Sequence, residues 1–179
     1  MNDSTSGSTS DASMTTGGVS PTGRLFWEDF PVGQSREFGH KVVQRDETIA
    51  FASQFDPQPF HLSDDAAEAS LFKRLSASGW HTCAMTMRMM CDDYLLRSSS
   101  LGSPGIDELK WHKPVYPGDA IRVRLTVLEA RPMNSRPDVG LIRSKWEVLN
   151  QDDAVVLSML GWGMFGRRPE PAGDATAVG

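Results

Sequence analysis

The chain has 179 residues, of which 39% are hydrophobic, and this is enough for one domain with a single core. Its 18 basic and 23 acidic residues give a net charge of −5, so no general positive field attracts nucleic acid or an anionic membrane. Only Cys83 and Cys91 are present, too few for the disulfide framework of a small secreted domain. We therefore expect two buried free thiols and a cytoplasmic protein. No stretch approaches the roughly 18 apolar residues of a membrane span.

Both ends of the chain are predicted to lie outside the domain. Residues 1–23 are rich in Ser, Thr and Gly and contain no Lys or Arg, which is typical of a disordered tail. The same composition argues against a secretory or mitochondrial leader. Residues 169–179 are predicted to form a shorter flexible tail. The domain is therefore expected to span residues 24–168.

The first predicted elements are one strand and two short helices. Residues 36–43 alternate loosely after a Pro-Val-Gly turn signal, which predicts a strand. Residues 46–48 are expected to cap a helix that runs through Phe55 and ends before Pro57. Residues 63–65 repeat the capping pattern, which predicts a second helix through about residue 72.

A long helix and four strands are predicted for the rest of the domain. Residues 80–96 carry apolar side chains around most of the helical circumference, which predicts a helix buried on all sides. The apolar period then changes to two, and this predicts strands at residues 106–113, 121–130, 142–150 and 155–165.

Two turn signals complete the predicted architecture. Residues 116–119 and 150–153 are predicted to be turns that make the later strands antiparallel neighbours. The expected fold is therefore α+β, with one buried helix packed against a curved antiparallel sheet.

The segment DPQPFH, residues 56–61, fixes a carboxylate and an imidazole close together on a chain stiffened by two prolines. Such a segment favours a site where an acid and a base act on one small volume. A turn between helices, in which Asp56 caps a backbone amide, is the alternative interpretation.

Three segments in this order resemble the MaoC-like dehydratase family, the (R)-specific enoyl-CoA hydratases with a hot-dog fold. They are DPQPFH at residues 56–61, ASGW at residues 77–80 before the long apolar helix, and KPVYPGD at residues 113–119 between strands. The match runs from about residue 26 to residue 165. The resemblance implies a curved antiparallel sheet wrapped around one long central helix, in a homodimer or in a heterodimer with a similar chain.

The resemblance also implies roles for individual residues. Asp56 and His61 would be the acid/base pair that hydrates a 2-enoyl-CoA thioester, and the Gly79 N–H would donate to the thioester oxygen. Coenzyme A would enter as part of the substrate, with no other cofactor. Four flanking residues are expected to contact the substrate: Gln58, Pro59, Ser78 and Trp80.

The chain departs from the family pattern at two of these positions. The family often has Asn-Pro where this chain has Gln58-Pro59, and often has a His where this chain has Ser78. The first difference concerns the placement of the water, and the second concerns the wall of the pocket.

Three other functions are alternatives to the hydratase. A metal site built from His40, His61, His81 and His112 is disfavoured, because no pair has the spacing of the usual zinc motifs. A hot-dog thioesterase would use a carboxylate of the central helix, for which Asp92 and Asp93 are the candidates. A non-catalytic acyl-thioester-binding subunit of a heterodimer is the third alternative.

Overall fold

A computed structural model describes residues 23–169, and the predicted tails lie almost entirely outside this range. The first strand is followed by three helices, and the other four strands come after the helices. The strands are β1 (Ser35–Val42), β2 (Gly105–Trp111), β3 (Ala120–Met133), β4 (Arg136–Leu149) and β5 (Val155–Gly166). The helices are α1 (Arg45–Phe55), α2 (Asp64–Glu68) and α3 (Gly79–Met90).

The predicted α+β architecture is confirmed. All strand pairs are antiparallel, in the order β1-β3-β4-β5-β2, and the curved sheet packs against α3. The alternation in β3 explains this packing, because Ile121, Val123, Leu125 and Val127 are all buried on the face toward the core. Among residues 23–169, no helix is both long and apolar enough to cross a membrane.

One turn prediction is confirmed and the other is partly wrong. Residues 150–153 join β4 and β5, which pair from Val139 to Leu149 of β4 along the whole length of β5. Residues 116–119 also form a turn, closed by a 3.0 Å bond from the Asp119 N–H to the Tyr116 carbonyl. This turn does not join neighbouring strands, because β2 pairs with β5 while β3 lies between β1 and β4. The pairing of β2 with β5 joins segments that are distant in the chain, so it leaves no local signal in the sequence.

The short helices differ from the prediction at their ends. The N-cap of α1 is Gln44, which makes no side-chain capping bond, so the predicted cap at residues 46–48 is wrong. Asp46 and Glu47 lie inside the first turn of α1, where negative charge is favourable. For α2 the N-cap Ser63 is confirmed, since its hydroxyl accepts from the Ala66 N–H at 3.2 Å. The helix ends at Glu68 rather than near residue 72.

The prediction that the central helix is buried on all sides is wrong. The α-helix ends at Met90 and continues as one π-helical turn from Cys91 to Leu95. Trp80 is 58% exposed and Met87 is 51% exposed, so one apolar face of α3 points away from the core. Cys83 and Cys91 are free thiols as expected, but both are half-buried rather than buried.

Two leucines of β3 provide a test of this packing. Leu125 is 3% exposed, whereas Leu128 is 41% exposed at an irregularity in the pairing of β3 with β4. We expect Leu125→Ala to lower the free energy of unfolding by about 2–5 kcal/mol, because it removes buried methyl groups and leaves a cavity. Leu128→Ala should change it by about 0.5 kcal/mol or less. Urea denaturation of both variants checks this, and equal losses would contradict the assigned core face.

Candidate active site

The loop after α1 brings the two predicted catalytic side chains to one place. α1 ends at Phe55, with Asp56 as its C-cap. The prolines that flank Gln58 hold the next residues extended before a short 3₁₀ turn, Pro59–His61. The turn directs the His61 side chain inward, where the residue is 5% exposed. Gln58 and Pro59 remain exposed at the mouth of this loop. The loop therefore buries His61 and leaves Gln58 and Pro59 accessible.

The Asp56 carboxylate is held by two donors. Its Oδ2 accepts a 2.6 Å hydrogen bond from the Ser78 hydroxyl, and its Oδ1 accepts a 2.8 Å bond from the Gln58 side-chain amide. The Ser78 bond, helped by the Gln58 bond and the nearby His61, holds the pKa of Asp56 below its ordinary value despite partial burial. The ionised form is therefore favoured. Its stabilising contribution is present above the ordinary pKa of an aspartate and is lost as the pH falls through the folded-state pKa.

The orientation of the His61 ring is fixed by the backbone. Nδ1 lies 2.8 Å from the Ser76 carbonyl oxygen, and because a carbonyl only accepts, Nδ1 must carry the donated proton. Nε2 then faces Asp56, 3.6 Å from its Oδ2. This distance is too long for a direct hydrogen bond, but both atoms can contact the same small reactant, such as one water molecule.

Ser78 connects the loop to the start of the central helix. Besides donating to Asp56, its hydroxyl accepts a 3.2 Å bond from the Trp80 N–H and is the N-cap of α3. The residue is 0% exposed, so the structure places it behind the carboxylate rather than on an open wall. Sequence reasoning assigned it to substrate contact and missed this role, although a serine before a helix is a recognisable capping signal.

Gly79 is the first residue of α3. Its N–H has no acceptor within the helix and lies at the positive end of the helix dipole. A Cβ at this position would lie 2.5 Å from Nε1 of Trp111, so the indole packs directly against the glycine. Trp80 meets the same indole edge-on, with 5.3 Å between ring centroids. Only glycine permits this approach.

An elongated cavity of about 400 Å³ lies beside this helix terminus, between α3 and the strands β2, β4 and β5. The helix contributes residues spaced three or four apart, which therefore lie on one face. They are Trp80, Cys83, Met87, Met90 and Tyr94. Sequence analysis missed the cavity, because these side chains fit the pattern of a core equally well.

The remaining histidines lie elsewhere. His81 is 2% exposed between α1 and α3, stacked on Phe51, with Nε2 3.7 Å from a Glu47 oxygen. Burial lowers its pKa. His40 lies in β1, and His112 contacts Ser158. Within the described part of the chain, no three His, Cys, Asp or Glu side chains form a group that could hold a metal ion.

The carboxylates considered for a thioesterase are engaged in ion pairs. Asp92 contacts Arg88 at 2.8 Å, and Asp93 contacts Arg36. Both belong to the π-helical turn, at the opposite end of the helix from Gly79. They are therefore separated from the Asp56 and His61 pair by the length of α3.

Comparison with known proteins shows the family to which this chain belongs. The family model for the MaoC like domain matches residues 29–144. The crystal structure of a MaoC-like dehydratase from Rhodospirillum rubrum is 41% identical with a TM-score of 0.75, covering 81% of this chain and 99% of that one.

Two curated relatives are also similar. An uncharacterized Bacillus subtilis protein, YdeM, is 26% identical over 129 residues, which are 72% of this chain and 90% of that protein. A mesaconyl-CoA hydratase from Cereibacter sphaeroides is 35% identical over 78 residues, which are 41% of this chain but only 22% of that enzyme. With the family model matching more than half of its length and the architecture of the hot-dog fold, this chain belongs to the MaoC-like dehydratase family.

Proposed function

We propose that this protein reversibly hydrates 2-enoyl-CoA thioesters to 3-hydroxyacyl-CoA thioesters. The observation that carries the proposal is the juxtaposition of Asp56 and His61, whose Oδ2 and Nε2 are 3.6 Å apart next to the start of α3. Membership of a dehydratase family supports the same reaction class. The mesaconyl-CoA hydratase match spans too little of that enzyme to transfer its substrate.

The proposed chemistry needs one proton to be taken up and one to be delivered. The pair holds a water molecule and removes a proton from it while the oxygen bonds to C3 of the enoyl group. The C2=C3 electrons move toward the thioester carbonyl, and the pair then gives a proton to C2. The pair ends in its starting protonation state, so the same groups also serve the reverse dehydration.

The negative charge that develops on the thioester oxygen needs a donor. We assign this role to the Gly79 N–H, which is unpaired within the helix and backed by the helix dipole. Loss of such a donor typically lowers turnover by about 10²–10³.

The acyl chain is proposed to enter the cavity beside α3. The cavity begins at Trp80, one residue after the proposed donor, and its walls are mainly apolar. Met87, Met90 and Met159 contribute flexible thioether side chains that adapt to ligand shape. The exposed apolar face of α3 thus serves the substrate rather than the core.

Coenzyme A is proposed to act only as part of the substrate, because hydration by an acid/base pair requires no redox group. Several basic side chains of the sheet that could contact the phosphates of coenzyme A already form ion pairs with glutamates. Arg122 and Arg124 both bond to Glu37, and Lys110 lies 2.8 Å from Glu108.

We also propose that two copies associate through β2. This strand is at the edge of the sheet, and Ile106 and Trp111 on it are about half exposed, as are Trp80 and Met87 beside it. An unpaired edge next to an apolar patch is a surface that proteins usually cover. The patch borders Gly79, so a second copy would enclose the proposed site.

The reaction is tested by mixing the purified protein with crotonyl-CoA and following the absorbance of the conjugated thioester and free thiol in parallel. We expect loss of conjugation without thiol release. Thiol release would identify a thioesterase and overturn the proposal, and silence in both signals for a range of enoyl chain lengths would leave only a binding role.

The Asp56→Asn variant is the site-specific control for this assay. We expect turnover to fall by about 10²–10⁴, because the variant loses its acid/base group, with little change in melting temperature. Full hydratase activity in this variant would show that Asp56 has no catalytic role.

The bond between Ser78 and Asp56 predicts a change in the pH profile. Ser78→Ala removes the donor that contributes most to the lowered pKa of Asp56, so that pKa should rise toward its ordinary value. The acidic limb of the kcat/KM profile should therefore move to higher pH.

The matched control is Ser63→Ala, which removes the N-cap of α2 without touching Asp56. Both variants should lose about 1 kcal/mol of stability from the missing cap, but only Ser78→Ala should shift the acidic limb. An unshifted limb in Ser78→Ala would contradict the assigned role.

The proposed association predicts a particle of twice the chain mass in sedimentation velocity. Ile106→Arg places a charge on the edge strand and should yield single chains, because burying an unpaired charge is costly. Leu128→Arg, exposed to a similar degree on β3, should leave the mass unchanged. A monomeric wild-type protein would refute the association.

A further inference from the structure

The cavity beside α3 is not lined by hydrocarbon alone. Its lining includes Tyr94, from the π-helical turn, and Ser144, from β4. Both residues are 5% exposed or less, so their hydroxyl groups lie in the interior of the protein. A cavity that only held an aliphatic chain would gain nothing from hydroxyl groups in this position, because buried polar groups need partners.

The Tyr94 hydroxyl has an unused donor. Its oxygen accepts a 3.2 Å hydrogen bond from Nε1 of Trp146, which also lines the cavity. Among residues 23–169, no acceptor lies within reach of the hydroxyl proton. Burial raises the pKa of Tyr94 well above its ordinary value, so the proton is retained. The hydroxyl can therefore donate to a ligand at any physiological pH.

The Ser144 hydroxyl is also available. The residue precedes Trp146 by two positions in β4, so both side chains lie on the same face of the sheet. No residue in the described chain bonds to its oxygen. His81 Nδ1 is the only fully enclosed side-chain N or O atom without a partner in this part of the chain, so the Ser144 oxygen must reach the cavity space.

The charge of the lining restricts the ligand group. Within residues 23–169, every lining side chain is uncharged, and none belongs to Lys, Arg or His. A buried carboxylate without a cationic partner is costly. The hydroxyl groups are therefore suited to a neutral group that accepts a hydrogen bond, such as a hydroxyl or a ketone.

The strand register gives the distance of these groups from the reactive end. Trp111, which packs on Gly79, pairs with Leu157, and Ser144 pairs with Gly161 on the same strand, β5. Trp111 and Ser144 lie on strands at opposite sides of β5, so a separation of four residues along the strand, about 13 Å, combines with two interstrand spacings of about 4.8 Å each. The resulting distance is about 16 Å. With carbon–carbon bonds of about 1.5 Å in a zigzag, this corresponds to an acyl chain of about thirteen carbons.

We propose that Tyr94 and Ser144 select acyl thioesters that carry a neutral hydrogen-bonding group near the thirteenth carbon of the chain. This inference rests on the proposed function for the position of the thioester. Tyr94 donates to the group, and Ser144 donates or accepts according to whether the group is a ketone or a hydroxyl. An unsubstituted chain of the same length would leave both hydroxyls without a partner, and such mismatches are strongly discriminated.

The test compares 13-hydroxy-trans-2-tridecenoyl-CoA with trans-2-tetradecenoyl-CoA, in which a methyl group replaces the hydroxyl. Affinity is measured by calorimetry on catalytically impaired Asp56→Asn protein, and kcat/KM is measured on the wild type. We expect the hydroxylated thioester to be preferred about tenfold or more in both measurements. Equal or reversed preference would overturn the inference. Loss of turnover with both compounds would refute the proposed function, while the affinity ratio would still decide the role of the two hydroxyls.

The variants Tyr94→Phe and Ser144→Ala should each lower the preference ratio by about tenfold or less, toward equality. Tyr116→Phe and Ser158→Ala are matched controls, because they change the same residue types outside the cavity lining. Their preference ratio should equal that of the wild type. If Tyr94→Phe fails to fold because Trp146 loses its acceptor, the preference ratio of Ser144→Ala alone tests the proposal. An unchanged ratio in Ser144→Ala would then remove that residue from the selection and overturn the proposal as stated.

Discussion

The hydroxyl of Ser78 is the contact on which the arrangement of the site depends. One oxygen donates to the Asp56 carboxylate at 2.6 Å and accepts from the Trp80 N–H at 3.2 Å. It therefore fixes the end of α1 against the beginning of α3. The carboxylate and the unpaired amide of Gly79 consequently belong to one rigid unit, although they are more than twenty residues apart in the chain. If the two groups act on one thioester, as proposed, they need such a connection, since small misplacements are costly in catalysis.

How far the sequence predicted this protein depends on the range of the interactions involved. The strands and the central helix follow from local periodicity, and the loop around Asp56 follows from proline chemistry, so these predictions are confirmed. The pairing of β2 with β5 has no local signal, and the turn at residues 116–119 wrongly predicted β2 and β3 as neighbours. The cap of α1 was misplaced because several polar residues there fit a cap equally well.

The residues of the proposed site could be named from the sequence, and their roles stay predictions, but the contacts between them could not be predicted. Asp56, His61 and Gly79 could be named from their motifs, whereas the packing of Trp111 on Gly79 joins residues from distant elements. The outer face of α3 is a second feature that the sequence did not predict. Its methionines satisfy the pattern of a core helix, and only the three-dimensional arrangement shows that Met87 is half exposed and faces a cavity. The spacing of apolar residues shows which side chains share a face, but not whether that face contacts the core or a cavity.

The contact between Gly79 and Trp111 also constrains how this sequence can diverge. A change from glycine to alanine, normally among the mildest in evolution, would put a methyl group 2.5 Å from the indole nitrogen. Such a change is accessible only after Trp111 has been replaced by a smaller residue or has moved. The two positions should therefore vary together among descendants of this chain, with the tryptophan changing first. The contact between these two residues thus determines the order in which substitutions can occur at two positions that are distant in sequence.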